Sequence, residues 1–458
     1  MKRKLSNDFL WGTSVSSMQT EGAVNEGGKG PSVYDDPELC VRGKVSDWEV
    51  ATDDYHRYDE DIEMMAAMHF NCYRFSISWS RVFPNGDGEV NEEGLKFYDS
   101  LIHRLKEKNI EPMICLYHFD MPANLARKYN GFASRHVVDA FEKYGKTIID
   151  RFKDQVKYWI TFNEQNIFGW DVSIGGCYLK QNEKILYQVN HNSLVAHARV
   201  VNYLHQTAPK AVAGGMIAYR LFYPATTLPK DQLMAQEMDE RLNQFYFEIF
   251  AHGKYPKYML QYLKNHRCLP KFEANDEDDL LKAKVDFLSF SYYSSSTISS
   301  NQIPPNVPFY KYEAYGKRDN SLIGTTEWNW QIDPVGFRLI LVKLANRYQL
   351  PVFPIENGIG VDEQPDDTGY ISDPYRINYH REHIEAMKKA IFEDGVKCMG
   401  YLSWGGIDIL SSQGQMKKRY GFVYVNRDDE EIRDLKRIPK ESFYWIQKVV
   451  QTNGEDLR

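Results

Sequence analysis

Positive charge is in short supply here: 56 Lys and Arg face 63 Asp and Glu, a formal net charge of −7 over 458 residues. Gripping nucleic acid would need a basic face to neutralise phosphates, so that class of partner is set aside. Cysteine is sparse as well. The six (Cys40, Cys72, Cys115, Cys177, Cys268, Cys398) include no close-spaced pair. Cys72, Cys115 and Cys398 lie in apolar runs, which reads as reduced core thiols rather than disulfides or ligands. No Cys/His metal spacing occurs, and no glycine-rich phosphate loop of the Walker or dinucleotide type, so neither metal nor cofactor is expected. No run approaches the roughly 18 apolar residues that span a bilayer. The basic start, Met1 to Asp8, lacks an apolar stretch with a small-residue cleavage site. These absences point to a cytoplasmic protein with no membrane partner, and leave a homo-oligomer open.

What the chain does have is a rhythm. Short apolar runs fall at 8–17, 72–77, 111–119, 156–163, 212–219, 286–293, 351–357 and 400–405. Between them lie amphipathic stretches of helical period, such as 55–68, 92–108, 134–152, 184–206, 237–251 and 376–392. Strand and helix alternating without a linker imply right-handed parallel crossovers, and eight such units fit a (β/α)8 barrel. The expectation is one domain over 1–458, enlarged by long strand-to-helix loops. A doubly wound open sheet is the alternative, but its glycine-rich first turn is missing.

A barrel gathers its chemistry at the C-terminal strand ends. Those ends carry Gln19, Arg74, His118, Asn163-Glu164, Tyr292-Tyr293, Glu356-Asn357 and Trp404; the fifth, near Tyr219, says little by itself. Glu164 and Glu356 each close an apolar run beside an asparagine. Either alone reads as an ordinary strand-end acid. Two on one barrel face suit glycosidic cleavage, where one carboxyl donates a proton and the other attacks or activates water. The aromatic content of 14% includes 9 Trp and 31 Tyr, beyond core needs the kind of surface that pyranose faces pack against.

TFNE at 161–164, IENG at 355–358, MQTEGA at 18–23, YRFSISWSR at 73–81 and LYHFDMP at 116–122 resemble, in order, the signature segments of glycoside hydrolase family 1. The resemblance runs from about Phe9 to Val425. It implies a (β/α)8 barrel and a retaining mechanism, with Glu164 as acid/base, Glu356 as nucleophile and Arg74 keeping that nucleophile ionised. Tyr293, or its neighbour Tyr292, resembles the tyrosine that hydrogen-bonds the nucleophile. Gln19, His118 and Asn163 resemble the residues holding sugar hydroxyls, Trp404 the glycone platform and Trp330 the aglycone wall.

One segment departs from the common pattern. Most members follow the eighth-strand Trp with a Glu-Trp pair that grips the outer hydroxyls, whereas Ser411 stands here in place of that Glu. Shortly after come Lys417-Lys418-Arg419-Tyr420. A carboxylate would repel a phosphate; a hydroxyl, an ammonium and a phenol would bind one. The set Ser411, Lys418 and Tyr420 looks like the phosphate loop of the 6-phospho-β-glycosidase branch, with Ser412 an alternative source of the hydroxyl. Galactoside enzymes of that branch carry Trp after the serine, so small Ser412 leans toward the gluco epimer. The reading is a 6-phospho-β-glucosidase acting on a small phosphorylated β-glucoside. Its rivals are a 6-phospho-β-galactosidase, a β-glucosidase indifferent to phosphate, and a phospho-sugar binder that has lost catalysis.

Overall fold

The structure, a computed structural model, describes residues 4–39 and 46–458. Cys40 lies outside the described residues. Eight parallel strands close into a barrel: β1 (Leu10–Ser14), β2 (Cys72–Ser76), β3 (Glu111–Tyr117), β4 (Tyr158–Phe162), β5 (Val212–Ala218), β6 (Phe287–Tyr292), β7 (Val352–Asn357) and β8 (Gly400–Trp404). Each neighbours its predecessor, and β8 pairs with β1 in the register Trp11 to Tyr401 and Ser14 to Trp404. All eight apolar runs therefore form strands, as parallel strands buried on both faces must.

The main helices after the successive strands are α1 (Asp54–Ala67), α2 (Glu92–Glu107), α3 (Arg135–Phe152), α4 (Glu183–Thr207), α5 (229–252), α6 (Pro334–Tyr348), α7 (Pro374–Phe392) and α8 (Glu441–Gln451), with shorter helices in the loops. Within α5 a π-helical turn, Glu240–Gln244, joins two α-helical halves. Two of the helices, α6 and α8, were not among the expected stretches. Yet α6 opens on a readable start signal: Asp333 accepts from Gly336 N at 2.7 Å and Pro334 occupies the first turn.

Two cores result. Inside the barrel pack Leu10, Cys72, Met113, Cys115, Ile160, Met216, Phe287, Phe353, Ile355 and Leu402; a larger apolar shell lies between strands and helices. Cys72 and Cys115 are thus buried barrel-core thiols, and Cys177 and Cys268 are buried and unbridged as well. The strand-to-helix loops are long, as expected. Those after β5 and β6 build a second sheet from Leu221–Pro224, Ser295–Ile298 and Lys317–Arg318. Among the described residues no helix is long and apolar enough to cross a membrane.

Candidate active site

A cavity of about 460 Å³ opens at the C-terminal end of the barrel. Gln19, His118, Asn163, Glu164, Tyr293, Trp330, Glu356, Trp404, Ser412 and Tyr420 all line it. Arg74, Ser411 and Lys418 stand one layer behind.

The two glutamates arrive there by unusual backbone. Glu164 adopts φ 41° and ψ 51°, left-handed geometry that a side chain disfavours and that concentrates at functional sites. Before Glu356 the register of β7 on β6 slips between Pro354 and Glu356. Proline brings no N–H to the ladder, and the resulting bulge re-aims the following side chains. The Ile355 carbonyl at that point accepts from Ser14 Oγ at 2.5 Å.

Glu356 is buried and takes two donors: the Arg74 guanidinium on Oε1, and the Tyr293 hydroxyl on Oε2 at 3.0 Å. Burial, to which the Glu356 and Glu164 charges add, raises the Tyr293 phenol well above its ordinary range and so keeps it a donor. Tyr292, by contrast, points outward and donates to Asp333 O at 3.1 Å. Arg74 also donates through Nη2 to Asn163 Oδ1 at 2.6 Å. With its oxygen taken, Asn163 turns its Nδ2 to His118 Nε2 at 3.0 Å. A neutral His118 then carries its proton on Nδ1. Four residues predicted from separate strands thus form one chain, Glu356–Arg74–Asn163–His118.

Contact with Arg74 does not hold Glu356 in the usual carboxylate range. Burial outweighs the guanidinium, and Glu164 adds to it, so the Glu356 carboxyl is pushed up to about 7. An enzyme that needs this carboxylate ionised loses activity as pH falls through about 7. Removing the guanidinium in Arg74→Gln is expected to move that acid limb to higher pH, read as kcat/KM against pH on an unphosphorylated substrate. A limb that moved down would contradict the assignment.

Trp404 stacks on His118 at 5.6 Å between ring centroids. Gln19 is held at both ends, donating to Leu410 O at 2.6 Å and accepting from Ser16 Oγ at 2.5 Å. It keeps one amide hydrogen and one lone pair for a ligand.

The 411–420 segment settles differently from its simplest sequence reading. Ser411 is buried, and its Oγ accepts from the backbone of Gln413 (3.3 Å) and Gln415 (3.1 Å), shaping the turn. The cavity-lining serine is Ser412. Lys418 is only 8% exposed, its ammonium 3.6 Å from the Trp330 ring centre, 5.1 Å from Trp328 and 5.7 Å from Tyr420. Among the described residues it makes no ion pair. Burial lowers it to about 8, with Glu327 pulling the other way. Gly360 makes room for this packing, since a Cβ there would lie 2.7 Å from Lys418 Cγ.

Some lining residues went unread in the sequence. Ser291 donates to Glu164 Oε1; near the end of β6 and two residues before Tyr293, it was findable from the period of two. The fifth strand end, uninformative alone, contributes Ala218, Tyr219 and Arg220. Lys317 and Trp170 come from loops and carried no signal.

The sequence profile of Glycosyl hydrolase family 1 matches residues 1–455. A 6-phospho-beta-glucosidase of Clostridium longisporum is 42% identical, with 98% of each chain covered. The aryl-phospho-beta-D-glucosidase BglC of Bacillus subtilis is 41% identical, again with 98% of each covered. Among solved structures, a family 1 β-glucosidase from Thermotoga maritima superimposes with a TM-score of 0.87 at 32% identity, over 99% of each chain. With its closed barrel, paired glutamates and end-to-end match, the chain belongs to glycosyl hydrolase family 1.

Proposed function

We propose that this chain is a retaining 6-phospho-β-glucosidase, one catalytic domain that converts phosphorylated β-glucosides to glucose 6-phosphate and an aglycone. Cellobiose 6-phosphate and aryl β-glucoside 6-phosphates are the substrates in view. The Glu356 carboxylate attacks the anomeric carbon while Glu164 gives its proton to the departing oxygen, breaking the glycosidic bond. Glu164 then takes a proton from water, whose oxygen displaces Glu356 with a second inversion. Arg74 and Tyr293 hold the nucleophile, and Gln19, His118, Asn163 and Trp404 hold the sugar. Trp330 forms the aglycone wall.

The observation that carries the phosphate half is Lys418: a desolvated cation without an ion-pair partner among the described residues, one indole away from the cavity. A buried charge is costly unless compensated. A substrate phosphate would compensate it, with Tyr420, Ser412 and the Ser411 turn completing the cradle. The relatives named as 6-phospho-β-glucosidases support the same reading. Small Ser412 on the cavity wall favours gluco over galacto, and two intact, hydrogen-bonded glutamates argue against a retired binder. A phosphorylated sugar does not cross a membrane unaided, which supports a cytoplasmic enzyme; assembly into a homo-oligomer fits the reading but is not required by it.

Three substrates test it: nitrophenyl β-glucoside, its 6-phosphate and the galacto 6-phosphate. The gluco 6-phosphate is expected to lead in kcat/KM by roughly 10²-fold over the unphosphorylated glucoside, the size of one charge-assisted contact. Turnover of only the unphosphorylated compound would overturn the phosphate assignment. A lead for the galacto epimer would overturn the choice of sugar.

A further inference from the structure

Behind the Lys418–Tyr420 segment lies a set of six charged side chains that hydrolysis does not use. Arg376, Arg419 and Lys440 face Glu363, Asp373 and Asp408, and each of the six is buried. They come from four separate places: the loop after β7, the start of α7, the segment after β8, and the residue before α8. Arg376 pairs with Glu363 at 2.8 Å and Asp373 at 3.2 Å. Asp408 takes Arg419 at 3.0 Å and Lys440 at 2.8 Å, and Lys440 also reaches Glu363. Three cations against three anions leave no net charge. The cluster therefore calls for no ligand of its own, and its function must be sought in what it holds.

It holds backbone. Arg376 donates through Nη2 to Arg419 O at 3.2 Å and through Nε to Tyr420 O at 3.3 Å. Asp408 Oδ1 accepts from Gly421 N at 2.9 Å. Arg419 and Val361 exchange backbone hydrogen bonds at 3.0 and 2.9 Å, which fixes the segment to the loop after β7. In such an extended stretch side chains alternate in direction. Arg419 turns into the cluster while Lys418 and Tyr420 turn toward Trp330 and the cavity. Fixing the carbonyls of 419 and 420 therefore fixes the aim of the ammonium and the phenol.

We propose that Arg376 is a positioning residue for the phosphate end of the substrate, acting through the Arg419 and Tyr420 carbonyls on Lys418 and Tyr420. This rests on the phosphate reading above. Arg376 does not itself line the cavity and meets its wall only through the Tyr420 backbone, so its effect is on recognition rather than on bond cleavage.

Two variants test it. Arg376→Lys keeps the charge but replaces a planar fork by a point cation that cannot span two carbonyls and two carboxylates. Arg376→Gln combined with Glu363→Gln keeps the cluster neutral, and carries the test where the single variant does not fold. Steady-state constants are measured on nitrophenyl β-glucoside 6-phosphate and on nitrophenyl β-glucoside, with thermal melting alongside. Expected is a rise of about tenfold in KM for the phosphorylated substrate, less than the roughly 10²-fold worth of the whole charge-assisted contact because the ammonium is misaimed rather than removed, with kcat and unphosphorylated turnover little changed. An equal loss on both substrates, an unchanged KM, or loss of fold in both variants overturns the proposal, since the cluster would then serve the barrel as a whole. A wild type without preference for the phosphorylated glucoside overturns the phosphate reading first and this inference with it. A wild type with that preference and indifferent variants overturns the inference alone.

Discussion

Glu356→Gln is expected to cut kcat by on the order of 10⁴-fold or more, the loss seen when a covalent nucleophile is removed and only binding and polar stabilisation remain. The amide keeps the volume, its oxygen can still accept from Arg74 and its NH2 can donate to the Tyr293 hydroxyl oxygen, so the pocket is preserved while the attacking carboxylate is lost. The sugar hydroxyls meet the same partners as before, and the deficit should therefore fall on kcat with KM little moved. Glu164→Ala should behave differently. General acid catalysis contributes roughly 10²–10⁴-fold, and least where the departing group is already a stable anion. With a nitrophenolate leaving group the first step should survive and the glycosyl-enzyme accumulate, giving a burst of nitrophenol followed by slow turnover. Azide needs no base to attack that intermediate, so it should restore turnover to Glu164→Ala and give the β-azide. On Glu356→Gly the same anion enters the vacated space and should give the α-azide. The stereochemistry of the two products assigns the roles by itself. An α-azide from Glu164→Ala, or a Glu356→Gln enzyme of near-normal rate, would reverse or remove the assignment.

How far the sequence led depends on whether a residue announces itself locally. The barrel strands did, because burial on both faces demands continuous apolar runs such as Tyr158–Phe162 and Val352–Ile355. A polar residue at the end of such a run stands out against it, and this made Glu164, Glu356, His118 and Asn163 readable one by one. Their linkage was not readable, because the hydrogen bonds from Arg74 to Asn163 and Glu356 cross 89 and 282 residues of sequence. The buried charge cluster was invisible for a related reason. Glu363, Asp373, Asp408 and Lys440, taken singly among 119 charged side chains (56 + 63), look like solvated surface. Only closure of the barrel brings them together and makes them pay each other's desolvation. Sequence reasoning assigned Lys418 to a phosphate cradle but did not foresee its cover, loop 325–331, which folds over it and presents Trp328 and Trp330. Nothing local to Lys417-Lys418-Arg419 specifies that lid, because it belongs to a loop some ninety residues upstream.

Lys418→Met is expected to lower kcat/KM for the gluco 6-phosphate by roughly 10²-fold and to leave the unphosphorylated glucoside alone, since one charge-assisted contact is worth about 1.5–3 kcal/mol. Methionine suits the site: it keeps an apolar stem against Trp330 and Tyr420 and removes only the charge, so packing is not the variable. The same residue predicts a pH dependence of definite sign. Burial among the rings brings the free ammonium down to about 8, so Lys418 is charged below that pH and neutral above it. Phosphate recognition should fade as pH rises through about 8 in kcat/KM, which reports the free enzyme. In the complex the bound dianion sits beside the ammonium and favours its charged form, so the corresponding limb in kcat should lie at higher pH. Both features should vanish with an unphosphorylated substrate and in Lys418→Met. An alkaline limb shared by phosphorylated and unphosphorylated glucosides would have another origin, and Lys418 would then be a caged structural lysine under Trp330 rather than the partner of a phosphate.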